Sequence, residues 1–242
     1  MADIARGFFI AGTDTGVGKT EVARALLSLL RGAVPLKPIE TGCSPDHPED
    51  ALALLAASGG DFDLDRICPY RFRLPAAPLV AAEAEGKKVS IDLIEQIVAR
   101  AAPKPIVVEA AGGLFVPITR EVAAFTLEQA DPAERAPVAA LVTNLDLAER
   151  LGLPVVLVGR AGLGTLNHCA LSAEALARRG IELRAIVLNR VSAEDDPSVA
   201  TNRRMVEEMT GAIVLGPTPF AADASKRPAA IAPILAPIVR GR

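Results

Sequence analysis

The chain has 242 residues, 50% hydrophobic, 23% charged and only 3% aromatic, so a sizeable core is available and must be built mostly from Ala, Val, Leu and Ile. A formal net charge of −3 gives no basis for a nucleic-acid or anionic-membrane partner, and no apolar run reaches the roughly 18 residues of a membrane span. Asp14 arrives too early for a signal peptide, and three widely spaced cysteines without a CxxC (Cys43, Cys68 and Cys169) point to a reducing cytoplasm and away from a disulfide framework or zinc site.

An apolar run at residues 8–11 predicts the first strand, and GTDTGVGKT (residues 12–20) follows it, with a helical pattern over residues 20–31 that stops at Gly32. A strand feeding a glycine loop and then a helix is the architecture of a nucleotide phosphate site. Backbone N–H groups of the loop and the helix N-terminus face the phosphates. Lys19 reaches the β- and γ-phosphates and the Thr20 hydroxyl ligates Mg²⁺. The spacing departs from G-x4-GK[ST]: the first glycine is Gly12, one place further out, which gives G-x5-GKT.

A short strand over 33–36 delivers Lys37-Pro38-Ile39-Glu40-Thr41-Gly42, where Pro38 keeps Lys37 extended. At a strand end, Lys37 can stabilise charge on a transferred phosphoryl group or simply snorkel to the surface. A helix over 49–58 begins with Asp50 in its first turn, either complementing the helix dipole or ligating a metal. Residues 61–79 read as irregular. A weak helix at 79–85 and a clearer one at 91–102, capped by Ser90, precede a strand at 106–110. That strand ends in Glu109, and a buried carboxylate there calls for a cation, so Glu109 is a candidate Mg²⁺ ligand.

Residues 114–140 have no strong period; 115–118 look extended and 121–140 read as an insertion. A helix is expected at 141–151, then a buried strand at 154–159, a helix at 166–179 and a strand at 183–188 leading to Asn189 and Arg190. A helix at 198–209, a strand at 212–215, a loop at 216–220 and a C-terminal helical stretch complete the chain. This alternation predicts an α/β fold, a P-loop NTPase-like parallel sheet with helices on both faces, as a single domain over residues 1–242. From the residues alone, Lys19, Thr20, Asp50 and Glu109 would hold Mg-ATP in a phosphoryl-transfer enzyme.

GTDTGVGKT, KPIETG, DALAL, VVEAAGG and GLGTLNH, in this order over most of the chain, resemble the dethiobiotin synthetase family, whose loop has the same G-x5-GKT spacing. The resemblance implies a cytoplasmic homodimer in biotin biosynthesis. Such an enzyme carboxylates 7,8-diaminononanoate with CO₂ and ATP, then closes the ureido ring through an N7-carbamate and a carbamic–phosphoric anhydride. It implies that Lys37, Lys19 and Thr15 border the carbamate and phosphates, and that Thr41 contacts the diamine. ATP would lie against Gly16, Val17, Gly18, Lys19, Thr20 and Glu21, against Glu109, Ala110, Ala111 and Gly112, and against Asn189 and Arg190. Asn189 would read the base, with Thr218, Pro219 and Phe220 flanking it. It makes Thr20, Asp50 and Glu109 the Mg²⁺ ligands. It places Gly162, Gly164, Thr165 and Asn167, at a helix N-terminus of the partner subunit, on the substrate's carboxylate. His168, just beyond, is expected to be structural. Gly16 stands where some members carry an acid, and Ala110 where glycine is common. The competing reading is a ParA/MinD-like regulatory ATPase, although Thr13 occupies the place where those proteins carry a lysine.

Overall fold

A computed structural model of the protein describes residues 7–122 and 139–239. The elements in chain order are β1 (Gly7–Gly12), α1 (Lys19–Leu29), β2 (Val34–Leu36), β3 (Ile39–Thr41), α2 (Glu49–Ser58), α3 (Leu64–Ile67), β4 (Tyr70–Phe72), α4 (Pro78–Ala84), α5 (Ile91–Ala101) and β5 (Ile106–Gly113). They continue with β6 (Pro117–Val122), β7 (Ala139–Thr143), α6 (Asn144–Leu151), β8 (Val155–Arg160), α7 (Thr165–Arg178), β9 (Leu183–Asn189), α8 (Val199–Thr210), β10 (Val214–Leu215) and α9 (Arg227–Val239).

Six strands form one parallel sheet in the order β10-β9-β8-β1-β5-β2. Side chains alternate across a strand, and here the alternation separates two cores. Phe8, Ile10, Val107, Val156, Val158 and Val187 face α1 and α9, which contribute Leu26 and Leu235. Phe9, Ala11, Val108, Val155, Leu157 and Ile186 face α5, α6, α7 and α8. Burial on both faces is what makes these strands continuous apolar runs. Because β1 is flanked by β5 on one side and β8 on the other, the strand order reverses direction around it. A crevice therefore opens at the carboxyl ends of the central strands, where open α/β sheets bind ligands.

Three expectations need correction. Residues 141–143, expected as the start of a helix, belong to β7, antiparallel to β6; α6 begins only at Asn144. The stop is a capping box: Thr143 Oγ1 accepts from Asp146 N, and the Asp146 carboxylate accepts from Thr143 N at 2.7 Å. Residues 61–79, expected to be irregular, contain α3 and β4, and β4 pairs in parallel with β3. Of the expected insertion at 121–140, only 121–122 and 139–140 are described, and these are strand; the rest lies outside the described residues. Among the described residues no helix is long and apolar enough to cross a membrane.

Asn144, the first residue of α6, is buried and donates to the carbonyls of Ala111 at 2.7 Å and Gly113 at 2.9 Å, which secures the end of β5 just beyond Glu109. Asn144→Ala strands both carbonyls and is expected to destabilise the protein by about 1–3 kcal/mol, measured as a lower denaturant midpoint with an unchanged slope.

Candidate active site

The loop between β1 and α1 is wound tightly around Gly18, which has φ of 92°. A Cβ there would sit 2.1 Å from Asn189 Nδ2, so only glycine fits both the backbone and the neighbour. The additional loop residue lies in a stretch organised by Asp14. Its carbonyl accepts from Lys19 Nζ at 3.0 Å, its carboxylate accepts from Thr15 N at 2.7 Å, and the same carboxylate pairs with Arg160 at 2.9 Å. Burial pulls the Lys19 ammonium down to about 8, and the neighbouring Lys37 charge adds to this.

Lys37 lies in the link between β2 and β3 and is 3% exposed, which rules out a snorkelling surface lysine. Its Nζ donates to Glu109 Oε1 at 2.6 Å and to Asp50 Oδ2 at 2.8 Å. Thr20 Oγ1 meets the same two carboxylates, 2.9 Å from Asp50 Oδ1 and 2.9 Å from Glu109 Oε1. Burial alone would lower the Lys37 pKa, but the carboxylates of Glu109 and Asp50 hold it above its ordinary value. Burial raises the Glu109 carboxyl despite Lys37. Burial works the other way from the outcome at Asp50, which Lys37 and Thr20 hold below the usual carboxylate range.

Four residues from four segments thus converge, and the oxygens of Thr20, Asp50 and Glu109 suit a hard divalent cation. The second Glu109 oxygen, Oε2, is buried without a hydrogen-bond partner, as an atom reserved for a cation would be. Among the described residues no cluster of three or more His, Cys, Asp or Glu forms a metal cage of its own. Two carboxylates and one hydroxyl would leave the remaining ligands to phosphate and water, the usual Mg²⁺ arrangement at nucleotides.

Three cavities adjoin along this loop. The central one, about 630 Å³, is lined by Thr15, Gly16, Gly18, Lys19, Lys37 and Asp50, together with Thr41, Glu109, Ala111 and Gly112. At Gly16, Gly18, Glu21 and Arg227 it meets a small cavity of about 100 Å³ that Asn189, Arg190 and Pro219 also line. At Thr15, Ala77 and Val116 it meets an open groove of about 720 Å³ running past Phe115 to Leu171 on α7.

Several expected ligand residues are turned inward. Thr218 is buried; its hydroxyl donates to Asn189 Oδ1 at 2.6 Å and accepts from Arg190 N at 3.0 Å. Asn189 Nδ2 donates to the Val17 carbonyl at 2.9 Å, so one hydrogen and one lone pair of its amide remain for a ligand. Ala110 is buried and can offer only backbone. Thr165 is fully buried beside Cys169, and Gly162, Gly164, Thr165 and Asn167 line neither the central cavity nor the groove of their own chain. His168, expected to be structural, is exposed and lines the groove. Two residues escaped the sequence reading. Arg227 lies 5.7 Å from the Phe220 ring and walls both the central and the small cavity, and buried Glu40 contacts the start of α2. No local pattern marks Arg227; Glu40 stands within KPIETG but reads there as an ordinary strand residue.

A family model described as an AAA domain matches residues 6–133 and 123–227. Among curated relatives, a protein of Anaeromyxobacter dehalogenans named ATP-dependent dethiobiotin synthetase BioD is 44% identical over 237 residues, which is 96% of this chain and 97% of that one. One of the same name from Anaeromyxobacter sp. (strain Fw109-5) is 46% identical over 85% of this chain and 86% of its own. Another from Bacillus subtilis is 33% identical over 91% of this chain and 90% of its own.

Removing Lys37 leaves the buried Glu109 without its cation. Lys37→Ala is therefore expected to lower the stability of the metal-free protein by about 3–5 kcal/mol, and addition of Mg-ATP should restore part of it, as read by thermal melting with and without ligand.

Proposed function

The chain belongs to the ATP-dependent dethiobiotin synthetase family, and from that membership we propose that it closes the ureido ring of dethiobiotin from 7,8-diaminononanoate, CO₂ and Mg-ATP. The observation that carries this reading is the seam at Thr15, Ala77 and Val116, where the phosphate cavity opens into the groove along α7. An ATPase that only switches needs water at the γ-phosphate. An open, largely apolar groove meeting the phosphate cavity favours a second, aliphatic substrate.

The order of bond changes follows from the chemistry. The N7 amine adds to CO₂ and loses a proton, giving a carbamate. A carbamate oxygen attacks the γ-phosphorus and ADP leaves; the product is a carbamic–phosphoric anhydride, whose carbonyl now carries a good leaving group. The N8 amine, held on the same molecule, attacks that carbonyl and phosphate departs. Tethering makes this last step effectively unimolecular.

In this scheme Thr41, half-buried in the central cavity, holds the diamine, and Thr15 lies at the seam between carbamate and phosphates. Lys19 and Lys37 stabilise charge developing on the carbamate and the transferred phosphoryl group. Thr20, Asp50 and Glu109 would hold Mg²⁺, which supplies charge neutralisation across the β- and γ-phosphates when bound. The base enters the small cavity by Asn189, Arg190 and Pro219, with Arg227 between base and phosphates.

The same reading makes the protein a homodimer. The α7 N-terminus carries no side-chain cap, which suits it to a carboxylate from the neighbouring subunit's substrate. Phe115 and Leu171 on the groove, and Leu163 in the loop before α7, are 67%, 57% and 79% exposed and would be covered by such an interface. Three free cysteines accord with a cytoplasmic enzyme.

With Mg-ATP, bicarbonate and the diamine, ADP release is expected to depend on the diamine and to match the ring-closed product by mass. Turnover stimulated only by DNA or lipid would instead establish the ParA/MinD-like reading. Lys37→Ala should lower kcat by about 10²-fold or more. Substituting both Leu163 and Phe115 by Asp is expected to give a monomer in sedimentation, with a raised KM for the diamine and unchanged ATP binding.

A further inference from the structure

Glu40 is a buried carboxylate, 6% exposed, that the chemistry above does not use. Helix α2 follows Pro48, which has no side chain able to cap it. The two N–H groups of its first turn point instead at a different strand: Glu40 Oε1 accepts from Asp50 N at 3.1 Å and Oε2 accepts from Ala51 N at 3.0 Å. An ordinary N-cap comes from the residue adjoining the helix and travels with it. Glu40 belongs to β3, whose position is set independently. It pairs in register with β4, Glu40 opposite Arg71, and the Lys37 N–H just before it donates to the Ile67 carbonyl at 2.9 Å.

A two-oxygen clamp from a fixed strand determines both where α2 starts and how its first turn is rotated. The residue so held is Asp50, whose side chain leaves the same turn toward Thr20 and Lys37. Without the clamp α2 would still be a helix, but its first turn would be tied to the Lys37 segment only through the Asp50 side chain itself, and the backbone of that turn would have no link to β3. Stability alone would be served more simply by Ser or Asn at position 48. Placing another carboxylate beside Asp50 brings like-charge repulsion that a neutral cap avoids; the geometry accepts that penalty where a cation is to be bound.

We propose that Glu40 is a positioning residue: its carboxylate orients the first turn of α2 so that the Asp50 carboxylate faces Thr20 and Glu109 at the divalent-cation site. The inference rests on the reading of Thr20, Asp50 and Glu109 as metal ligands, and the test separates the two. Outer partners of metal ligands change metal affinity by about 10–100-fold when removed.

The experiment titrates Mn²⁺ into the full chain with a non-hydrolysable ATP analogue and follows free Mn²⁺ by electron paramagnetic resonance. Glu40→Ala is expected to weaken Mn²⁺ by about tenfold or more. Glu40→Gln keeps the length and one acceptor oxygen and should lose less, about threefold. Binding of the analogue in EDTA should stay within about twofold of wild type, since the phosphate loop is untouched. In an Asp50→Ala background, Glu40→Ala should weaken Mn²⁺ no further, because it acts through Asp50. Wild-type Mn²⁺ affinity in the Glu40 variants alongside a weakened Asp50→Ala overturns the proposal and leaves Glu40 a plain helix cap. If Asp50→Ala itself binds Mn²⁺ normally, the metal reading fails and takes this inference with it. Should Glu40→Ala not fold, Glu40→Gln decides by the same comparison, wild-type affinity again overturning the proposal.

Discussion

The site depends on one buried cation. Lys37 is held between Glu109 and Asp50, and the Glu109 carboxylate, fully buried where Asp50 is partly exposed, is not tolerable in the interior without it. The lysine comes from the link after an edge strand, Glu109 from the strand beside it and Asp50 from a helix on the far side of the cavity. A correct ion cluster therefore requires that β2 and β5 pair in register and that α2 dock in one orientation. The arrangement joins the fold to the chemistry: the contacts that make the interior acceptable in the absence of ligand also assemble oxygens and an ammonium around the place where phosphates would lie.

The glycine loop acts as a wall shared by three spaces. Its Gly16–Gly18 side borders the small cavity, its Lys19–Thr20 side the central cavity, and its Thr13–Thr15 side the apolar groove. Thr13, Asp14 and Thr15 of the G-x5-GKT loop line the groove, and Asp14 anchors the loop there to Arg160 and to Lys19. A loop that only cradled phosphates would have no use for that third face. In the proposed reaction the loop would stand between the nucleotide and the second substrate, within a parallel sheet whose crevice opens at the carboxyl ends of the central strands.

Much of the frame was legible because it is local or strongly periodic. Strands buried on both faces, such as residues 155–158, announce themselves as apolar runs, and the glycine loop constrains its own backbone. The misreadings have equally local causes. β3, β4 and α3 span three or four residues each, too few for a period to emerge. Residues 141–151 merge a strand with a helix of similar composition, and only the Thr143–Asp146 capping box marks the join. Asp50 fitted both a dipole partner and a metal ligand, since its place in a first turn serves either role.

By itself the sequence determined the phosphate loop, the parallel α/β class and the identity of Lys37 and Glu109 as residues of interest, because each depends on chain neighbours or on a local pattern; Thr41 entered only through the family resemblance. Only the tertiary structure decided that Lys37 is buried between two acids, that Thr218 serves Asn189, that His168 faces a groove, and that Glu40 clamps α2. The physical reason is that charge pairing and hydrogen bonding act through space over a few ångströms. Lys37 and Glu109 meet across a sequence separation of 72 residues, and no local pattern in the chain encodes a contact made by the packing of separate strands and helices.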